Sequence, residues 1–220
     1  MERAAEARSL APEEMKRLRD ACRGDWTFGF IEVSLATGCR RGELLSLTWP
    51  DVDYINSTLT ISKSLEQTRS GLRTKRPKND RSRKFRIGQT AIAAVRFLQD
   101  QQEQHRLLYG DDYQDLGLAF CQPDGSHLLP DLVSQVIVRR LKKAGIKDAS
   151  LHTLRHTHAS SLLSKGVPLP AVSARLGHAD TNITARIYSH AQPDDDSRLG
   201  RQTHGKTSFA DRSNSFCDVL

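Results

Sequence analysis

The stretch LHTLRHTHASSLLSKGVPLPAVSARLGHADTNITARIYSH, at residues 151–190, decides the fold class of this chain. It predicts three short helices in succession. Gly166 ends the first, Pro168 begins the second and Gly177 closes it, because proline suits the first turn of a helix and glycine adopts the left-handed conformation that ends one. The third helix runs to Tyr188. This succession indicates a mainly helical domain.

Similar start, stop and spacing signals predict five helices upstream. They cover residues 11–21, 27–35, 42–47, 91–108 and 132–144. Three short runs bounded by turn residues predict strands, which lie at residues 52–54, 59–62 and 84–87. The expected fold is therefore mainly α with a small three-stranded antiparallel β-sheet.

A second stretch, ATGCRRGELLSLTW at residues 36–49, places Arg40 after a Thr-Gly turn and at the start of a short helix. A guanidinium fixed at this point can bind two phosphate oxygens, and the N-terminal end of the helix dipole favours the same anion. A plainer interpretation pairs Arg40 with Glu43, one turn later, as a surface salt bridge. Both interpretations stay open from these residues alone.

His152 and Arg155 are three residues apart, so they share one helical face and could hold one phosphate together. Taken alone, the pair could also be a capping histidine and a solvent-facing arginine. A metal site is the rival function, since His156 and His158 are nearby. These two histidines point to different sides of a helix, and no acidic residue accompanies them, so packing roles are expected and no metal site is predicted.

His178 and Tyr188 complete a set of groups suited to attack on a phosphodiester. In such chemistry the arginines offset the charge on the phosphate, a histidine moves protons and the tyrosine oxygen attacks. The plainer interpretations are a helix-capping role for His178 and a core position for Tyr188. Ile183 and Ile187 already supply an apolar stripe on that helix, which favours a chemical role for the tyrosine.

The charge balance favours a polyanionic partner, of which nucleic acid is the commonest, although a merely soluble basic protein would show the same excess. The 220 residues include 33 Lys and Arg against 26 Asp and Glu, for a formal charge of +7. Nine basic residues lie between Arg69 and Arg86, where Asp80 is the one acid. We interpret this segment as a basic hairpin, with a loop separating the second and third strands. The residues expected to contact DNA are Arg41, Lys75, Arg76, Arg81, Arg83 and Lys84.

Together the two quoted stretches resemble the catalytic domain of the tyrosine recombinases, the phage-integrase family, from about Leu10 to His190. The resemblance implies the tyrosine-recombinase catalytic-domain fold, and it makes Glu43 the acid that supports the first arginine. It assigns catalysis to Arg40, His152, Arg155, His178 and the nucleophile Tyr188. Every one of these positions carries the residue type that is usual in the family.

The resemblance also implies a lysine general acid in the basic segment, to protonate the leaving oxygen. The family has a Pro-Lys-Thr pattern there, and Pro77-Lys78 matches it best, with Asn79 in place of threonine. Lys78 is therefore the expected acid. Lys75 is the competing candidate.

The expected function is site-specific recombination of double-stranded DNA by a homotetramer. Tyr188 would form a 3′-phosphotyrosyl link and release a 5′-hydroxyl, with no metal, ATP or other cofactor. A type IB topoisomerase would use nearly the same residues but would relax DNA without exchanging partner strands. A DNA-binding module without catalysis and a metal-dependent nuclease are two further candidate functions.

The chain divides by composition into a lead-in at residues 1–9, a catalytic domain at 10–193 and a polar tail at 194–220. Its four cysteines are far apart, which favours a reducing cytoplasm, with the protein on the nucleoid of a prokaryotic cell. Neither a secretory signal nor a membrane span is predicted. Family members carry a DNA-binding domain before the first arginine stretch, whereas 39 residues precede Arg40, so weak DNA affinity and site specificity are expected.

Overall fold

The computed structural model describes residues 8–76 and 82–177. Within these ranges every predicted helix is present, with small shifts at the ends. The helices are α1 (Pro12–Cys22), α2 (Trp26–Thr37), α3 (Arg41–Leu45), α4 (Gln89–Tyr109), α5 (Pro130–Lys143), α6 (Leu151–Ser164) and α7 (Leu169–Leu176). Short 3-10 turns cover Trp49–Asp51 and Gly110–Asp112. The predicted helix ending at Tyr188 and the polar tail lie outside the described residues.

Five strands form two separate antiparallel units in this part of the chain. They are β1 (Val52–Asp53), β2 (Thr58–Ile61), β3 (Ser64–Thr68), β4 (Gly71–Lys75) and β5 (Arg83–Arg86). The predicted three-stranded sheet is confirmed, with order β1-β2-β5 and with Leu59 opposite Phe85. Both of these side chains are buried, which fixes the register because a slip by one residue would expose them.

The hairpin of β3 and β4 differs from the sequence prediction. It begins at Ser64, whereas the basic segment predicted a hairpin starting near Arg69, which instead lies in the turn. Leu65 is the one fully buried residue of β3, and β4 is exposed along most of its length. Strands this polar lack the alternation of apolar residues that identifies a strand in a sequence.

Helix α2 is the centre of the domain, with α4 packed on one part of it and α6 on another. It is apolar around most of its surface, and a helix of that kind is stable only when other elements cover it. Phe30 lies in its middle with no exposed surface, and its ring meets the edge of Phe120 at 5.2 Å between centroids. This packing anchors the middle of α2, the helix that ends three residues before Arg40.

Gly38 ends α2 at a point where three helices meet. Its φ is +65°, and its N–H donates to the carbonyl of Ser34 at 2.8 Å. A Cβ atom on this residue would lie 2.6 Å from Cδ2 of His158 in α6 and 2.9 Å from Cδ2 of Leu176 in α7. Glycine is therefore required by both the backbone conformation and the close approach of α6 and α7.

No helix within the two described ranges is both long and apolar enough to cross a membrane.

Substitution of Gly38 by alanine should destabilise the fold by about 2–4 kcal/mol. The left-handed conformation costs about 1 kcal/mol, and overlap with His158 adds about 1–3 kcal/mol. Gly145 is a matched control because it has φ +69° and no atom within 4 Å of the point that a Cβ would occupy, so Gly145→Ala should lose only about 1 kcal/mol. Urea unfolding of both variants measures this difference. Equal losses would show that the close approach is not restrictive.

Candidate active site

A cavity of about 720 Å³ brings together residues from both quoted stretches and from the basic hairpin. The predicted functional residues that line it are Arg40, Arg41, Lys75, His152 and Arg155. Four of the other predicted residues, Lys78, Arg81, His178 and Tyr188, lie outside the described residues. The described part of the site is therefore a basic cavity between α3, α6 and the β3-β4 hairpin.

Arg155 is the most buried of these residues, with 9% of its surface exposed. Its Nη1 donates to the carbonyl of Gly38 at 2.6 Å, and its Nη2 donates to the carbonyl of Leu176 at 2.8 Å. Burial, followed by the positive charge of Arg40, lowers the pKa of Arg155 to about 10. The guanidinium is therefore still protonated at neutral pH, and it ties α6 to the ends of α2 and α7.

Arg40 and Glu43 form the salt bridge that the plainer interpretation expected, but it is not a surface pair. Nη1 of Arg40 is 3.2 Å from Oε1 of Glu43, whose side chain is only 9% exposed. The backbone N–H of Arg40 donates to Oε2 at 2.8 Å. The Arg40 side chain is 50% exposed and lines the cavity. It therefore contacts the buried Glu43 carboxylate on one side and the cavity on the other.

Arg83 is turned inward, which does not fit the open DNA contact expected from the basic run. Its side chain is 16% exposed, and its Nη2 is 2.6 Å from Oε1 of Glu43. Its Nη1 donates to the carbonyl of Arg175 at 2.8 Å. The reason is its register in β5: Arg83 is two residues before the buried Phe85 and so shares its face of the strand.

The last three carbonyl groups of the described chain, at residues 175–177, each accept a hydrogen bond from a different arginine. The carbonyl of Arg175 accepts from Arg83, that of Leu176 from Arg155, and that of Gly177 from Nη2 of Arg40 at 3.3 Å. Carbonyls at the C-terminal end of a helix have no partner within the helix and carry partial negative charge. The end of α7 therefore gathers the three guanidinium groups around one point, directly before His178.

The histidines of α6 occupy different environments. His152 is exposed in the first turn, where its backbone N–H donates to the capping Ser150 hydroxyl, and it lines the cavity. His156 also lines the cavity, and burial followed by the charges of His152 and Arg155 lowers its pKa. Within residues 8–76 and 82–177 no three His, Cys, Asp or Glu side chains are grouped to hold a metal ion.

His158 packs in the interior, as expected, and its hydrogen bonds define its protonation. Nε2 accepts from Nε of Arg175 at 3.1 Å, so the ring proton is on Nδ1, which donates to the carbonyl of Leu35 at 2.8 Å. Burial lowers the pKa of His158 to about 4. The neutral ring therefore joins α7 to the end of α2.

The remaining predicted DNA contacts are at or near the surface. Nη1 of Arg41 donates to the Ser134 hydroxyl at 2.6 Å and is 3.2 Å from Oδ1 of Asp131. Arg76 is exposed, and Lys84 is 60% exposed with its Nζ 3.8 Å from Asp53. These positions leave a role in DNA contact open to them.

Two further side chains shape the site and were not predicted from the sequence. Arg175 holds His158, and Glu66 of β3 lies 2.5 Å from Nζ of Lys75 in β4. The hydrogen bond from Lys75 lowers the pKa of Glu66. Arg175 looks like an ordinary basic residue near a helix end, and the pairing of Glu66 with Lys75 is visible only once the hairpin register is known.

Comparison with known families identifies the class of domain to which this fold belongs. The model of the phage integrase family matches residues 8–195, so the chain belongs to that family. A tyrosine recombinase XerC-like protein from Caldanaerobacter subterraneus subsp. tengcongensis is 29% identical over 201 residues, which are 86% of this chain and 51% of that protein. The chain thus spans about half the length of such relatives.

Solved structures confirm the expected fold. The crystal structure of XerA recombinase superposes with a TM-score of 0.69 at 26% identity, and it covers 94% of this chain and 67% of its own. The XerH site-specific recombinase bound to difH substrate has a TM-score of 0.64 at 25% identity, covering 87% of this chain and 52% of its own. The mainly helical domain with its small antiparallel sheet is therefore that of the tyrosine-recombinase catalytic domain.

The buried neutral state of His158 predicts a loss of stability in mild acid. Its pKa in the folded protein, about 4, is below the ordinary 6.5, so the unfolded chain takes up the proton first as the pH falls. Neutral His158 therefore contributes its full stabilisation above about pH 6.5. As the pH falls toward 4 this contribution is lost, and the free energy of unfolding is about 2 kcal/mol lower at pH 5.

Urea unfolding of the wild type and His158→Gln at pH 7 and pH 5 isolates this contribution from other titrating groups. Glutamine can keep a hydrogen bond to the Leu35 carbonyl but cannot titrate. The variant should therefore lose about 2 kcal/mol less than the wild type between the two pH values. An equal loss in both proteins would mean that His158 is not the titrating group.

Proposed function

We propose that this chain carries the catalytic machinery of a site-specific DNA recombinase that cleaves and rejoins strands through a 3′-phosphotyrosyl intermediate. The observation that supports this best is the meeting of Arg40 and Arg155, from stretches far apart in the sequence, at one cavity together with His152. Two guanidinium groups beside a histidine suit a phosphate whose negative charge grows during attack. Membership of the phage integrase family supports the same chemistry.

In the proposed reaction Tyr188 is the nucleophile. Its oxygen attacks the scissile phosphorus while Arg40, His152 and Arg155 stabilise the phosphate oxygens. The bond to the 5′-oxygen of the next nucleotide breaks, and a lysine protonates that oxygen. A 5′-hydroxyl from another strand then attacks the phosphotyrosine and reverses the step, so the bond energy is retained. His178 would assist proton transfer at the same phosphate.

Glu43 is proposed as a supporting residue. Its buried carboxylate binds both the backbone N–H and the side chain of Arg40, so it sets where that guanidinium points. Arg41, Lys75, Arg76, Arg81 and Lys84 are proposed to contact the DNA backbone. No cofactor or metal is proposed for the reaction, because arginines and a lysine supply the charge and the proton.

The proposed partner is double-stranded DNA, and the proposed assembly is a homotetramer that cleaves both duplexes. XerH, the relative whose structure is a pre-cleavage complex, is bound to difH substrate. The catalytic domain is proposed to extend over residues 10–193, with residues 194–220 as a tail that docks on a neighbouring subunit. Such a substrate would place the protein on the nucleoid of a prokaryotic cytoplasm.

A type IB topoisomerase is the alternative function. It would form the same covalent intermediate and relax supercoils without joining strands from different duplexes. Similarity to XerA and XerC-like recombinases favours strand exchange. Joining between two differently labelled duplexes decides between the two activities.

Covalent trapping on a nicked suicide substrate should identify Tyr188 as the nucleophile. Wild-type protein should remain attached to the 3′ side of the break, because the short 5′-hydroxyl fragment diffuses away. Tyr188→Phe should bind the same DNA but form no adduct, since it removes only the attacking oxygen. The measurement is a denaturing gel with labelled DNA.

The other three tyrosines serve as controls for this trapping. The hydroxyl of Tyr54 donates to Gln99 at 2.8 Å, and burial raises the pKa of Tyr113 to about 12. Tyr54→Phe, Tyr109→Phe and Tyr113→Phe should all form the adduct. An adduct formed by Tyr188→Phe would refute the proposed mechanism.

A substrate with sulfur in place of the leaving 5′-oxygen should distinguish Lys78 from Lys75 as general acid. Sulfur leaves without protonation, so it should restore fast cleavage only to the variant that lacks the acid. Lys78→Ala should be rescued and Lys75→Ala should not. Lys75 is already engaged in an ion pair with Glu66, which supports Lys78 as the acid. Rescue of Lys75→Ala alone would mean that Lys75, and not Lys78, is the general acid.

A further inference from the structure

Arg83 contacts the active site from the side of the three-stranded sheet. It is the first residue of β5, and its guanidinium bridges two groups that belong to different stretches of the sequence. Nη2 is 2.6 Å from Oε1 of Glu43, and Nη1 is 2.8 Å from the carbonyl of Arg175. With 16% of its side chain exposed, both contacts are largely shielded from water.

The position of Arg83 is fixed by its surroundings. Its Cζ is 5.3 Å from the centroid of the Phe85 ring, and Cζ of Arg175 is 5.0 Å from the same centroid. A Cβ on Gly177 would lie 2.9 Å from Cζ of Arg83. The guanidinium therefore packs directly on the backbone at the end of α7, where a side chain would displace it.

Glu43 is shared between two arginines that have different tasks. Oε1 of Glu43 is 2.6 Å from Arg83 and 3.2 Å from Arg40, so the shorter contact is the one to Arg83. A buried carboxylate needs paired charge. Without Arg83, the Glu43 carboxylate would pair with Arg40 alone. It would then draw the Arg40 guanidinium away from the cavity.

We propose that Arg83 is a positioning residue of the active site. It pairs with the buried carboxylate of Glu43 from the sheet side, so that Glu43 binds Arg40 less tightly and the Arg40 guanidinium stays oriented toward the phosphate. It also holds the end of α7 through the Arg175 carbonyl. The proposal rests on the proposed recombinase function for the reaction it serves, but the coupling of Arg83 to Glu43 can be tested without that reaction.

Two simpler roles make different predictions. An arginine that contacts a DNA phosphate contributes to affinity and to its dependence on salt. An arginine that only stabilises the fold changes the unfolding equilibrium and leaves the rate of the folded enzyme unaltered. A positioning residue lowers the rate at saturating DNA and leaves affinity and salt dependence unaltered.

The test compares Arg83→Gln with Arg86→Gln, which removes the same charge from an exposed position on the same strand. At saturating suicide substrate and at a temperature where each variant is folded, Arg83→Gln should form the covalent adduct about 10–100-fold more slowly than wild type. Its DNA dissociation constant should stay within about twofold, with the same salt slope. Arg86→Gln should cleave at the wild-type rate.

Arg83→Lys and a double variant make the test specific for the route through Glu43. One ammonium cannot reproduce both contacts of a guanidinium, so Arg83→Lys should recover only part of the rate. In a Glu43→Gln background, Arg83→Gln should slow the reaction at least about fivefold less than in the wild type, because the Glu43 carboxylate through which Arg83 acts is already lost. If the rate losses of Arg83→Gln and Glu43→Gln simply multiply in the double variant, Arg83 does not act through Glu43 and the proposal is overturned.

Urea unfolding distinguishes this proposal from the proposed function. It is measured on the wild type, Arg83→Gln, Glu43→Gln and the double variant. Arg83 and Glu43 should be coupled by about tenfold in the unfolding constant, whether or not the chain cleaves DNA. If the wild type forms no adduct, the proposed function is refuted. The coupling between Arg83 and Glu43 in the unfolding constant still reports on their contact in that case. The positioning role is overturned by zero coupling, by a normal rate with weaker salt-sensitive binding, or by a loss confined to stability.

Discussion

The end of α7 is the constraint on which the site depends, because its last carbonyls bind three arginines that no other part of the described chain brings together. Arg83, Arg155 and Arg40 donate to three consecutive backbone oxygens, of Arg175, Leu176 and Gly177. Helix-end carbonyls carry partial negative charge without being anions. They can therefore hold guanidinium groups in position while leaving most of the positive charge uncancelled. Glu43, which pairs with Arg83 and Arg40, cancels part of that charge, whereas Arg155 is held by the carbonyls of Gly38 and Leu176.

The electrostatics of the site follow from this arrangement. Burial is the largest cause of the lowered pKa of Arg155. The positive charge of Arg40 lowers it further, the carboxylate of Glu43 opposes this, and Arg83 has a smaller lowering effect. Arg40 and Arg155 both line the cavity, and Glu43 offsets their repulsion only in part, so an anion that enters between them would relieve it. This is stabilisation by preorganised charge, in which the cost of assembling the charges is met during folding rather than during the reaction. The packing around the turn at Gly38 supplies the rigidity that such an arrangement needs, since His158 and Leu176 leave no room there even for a Cβ atom.

Most of the fold could be predicted from the sequence because its signals are local. Gly38, Gly166 and Gly177 mark helix ends, and apolar spacing marks the buried faces between them. The start of the β3-β4 hairpin could not be predicted, because its strands are polar and one pairing partner has to be known before the other is recognised. The site shows the same division. Arg40, His152 and Arg155 could be placed together from motif order and resemblance, whereas the inward orientation of Arg83 depends on which face of β5 the sheet buries. Phe85, two residues later, is the signal that could have revealed it.

Burial also changes what a basic residue can do, and this explains why neighbours in one charged run have different roles. Lys84 keeps 60% of its side chain in solvent, where screening limits it to weak, salt-dependent contacts with a polyanion. Arg83, beside it in sequence, is shielded and paired with Glu43, so its charge acts at short range in a medium of low polarity. A guanidinium suits that place better than an ammonium, because its planar fork serves a carboxylate and a carbonyl at once. The alternation of a single strand therefore divides a uniform basic sequence between an exposed surface, proposed to contact DNA, and a shielded position beside Glu43, proposed to support the active site.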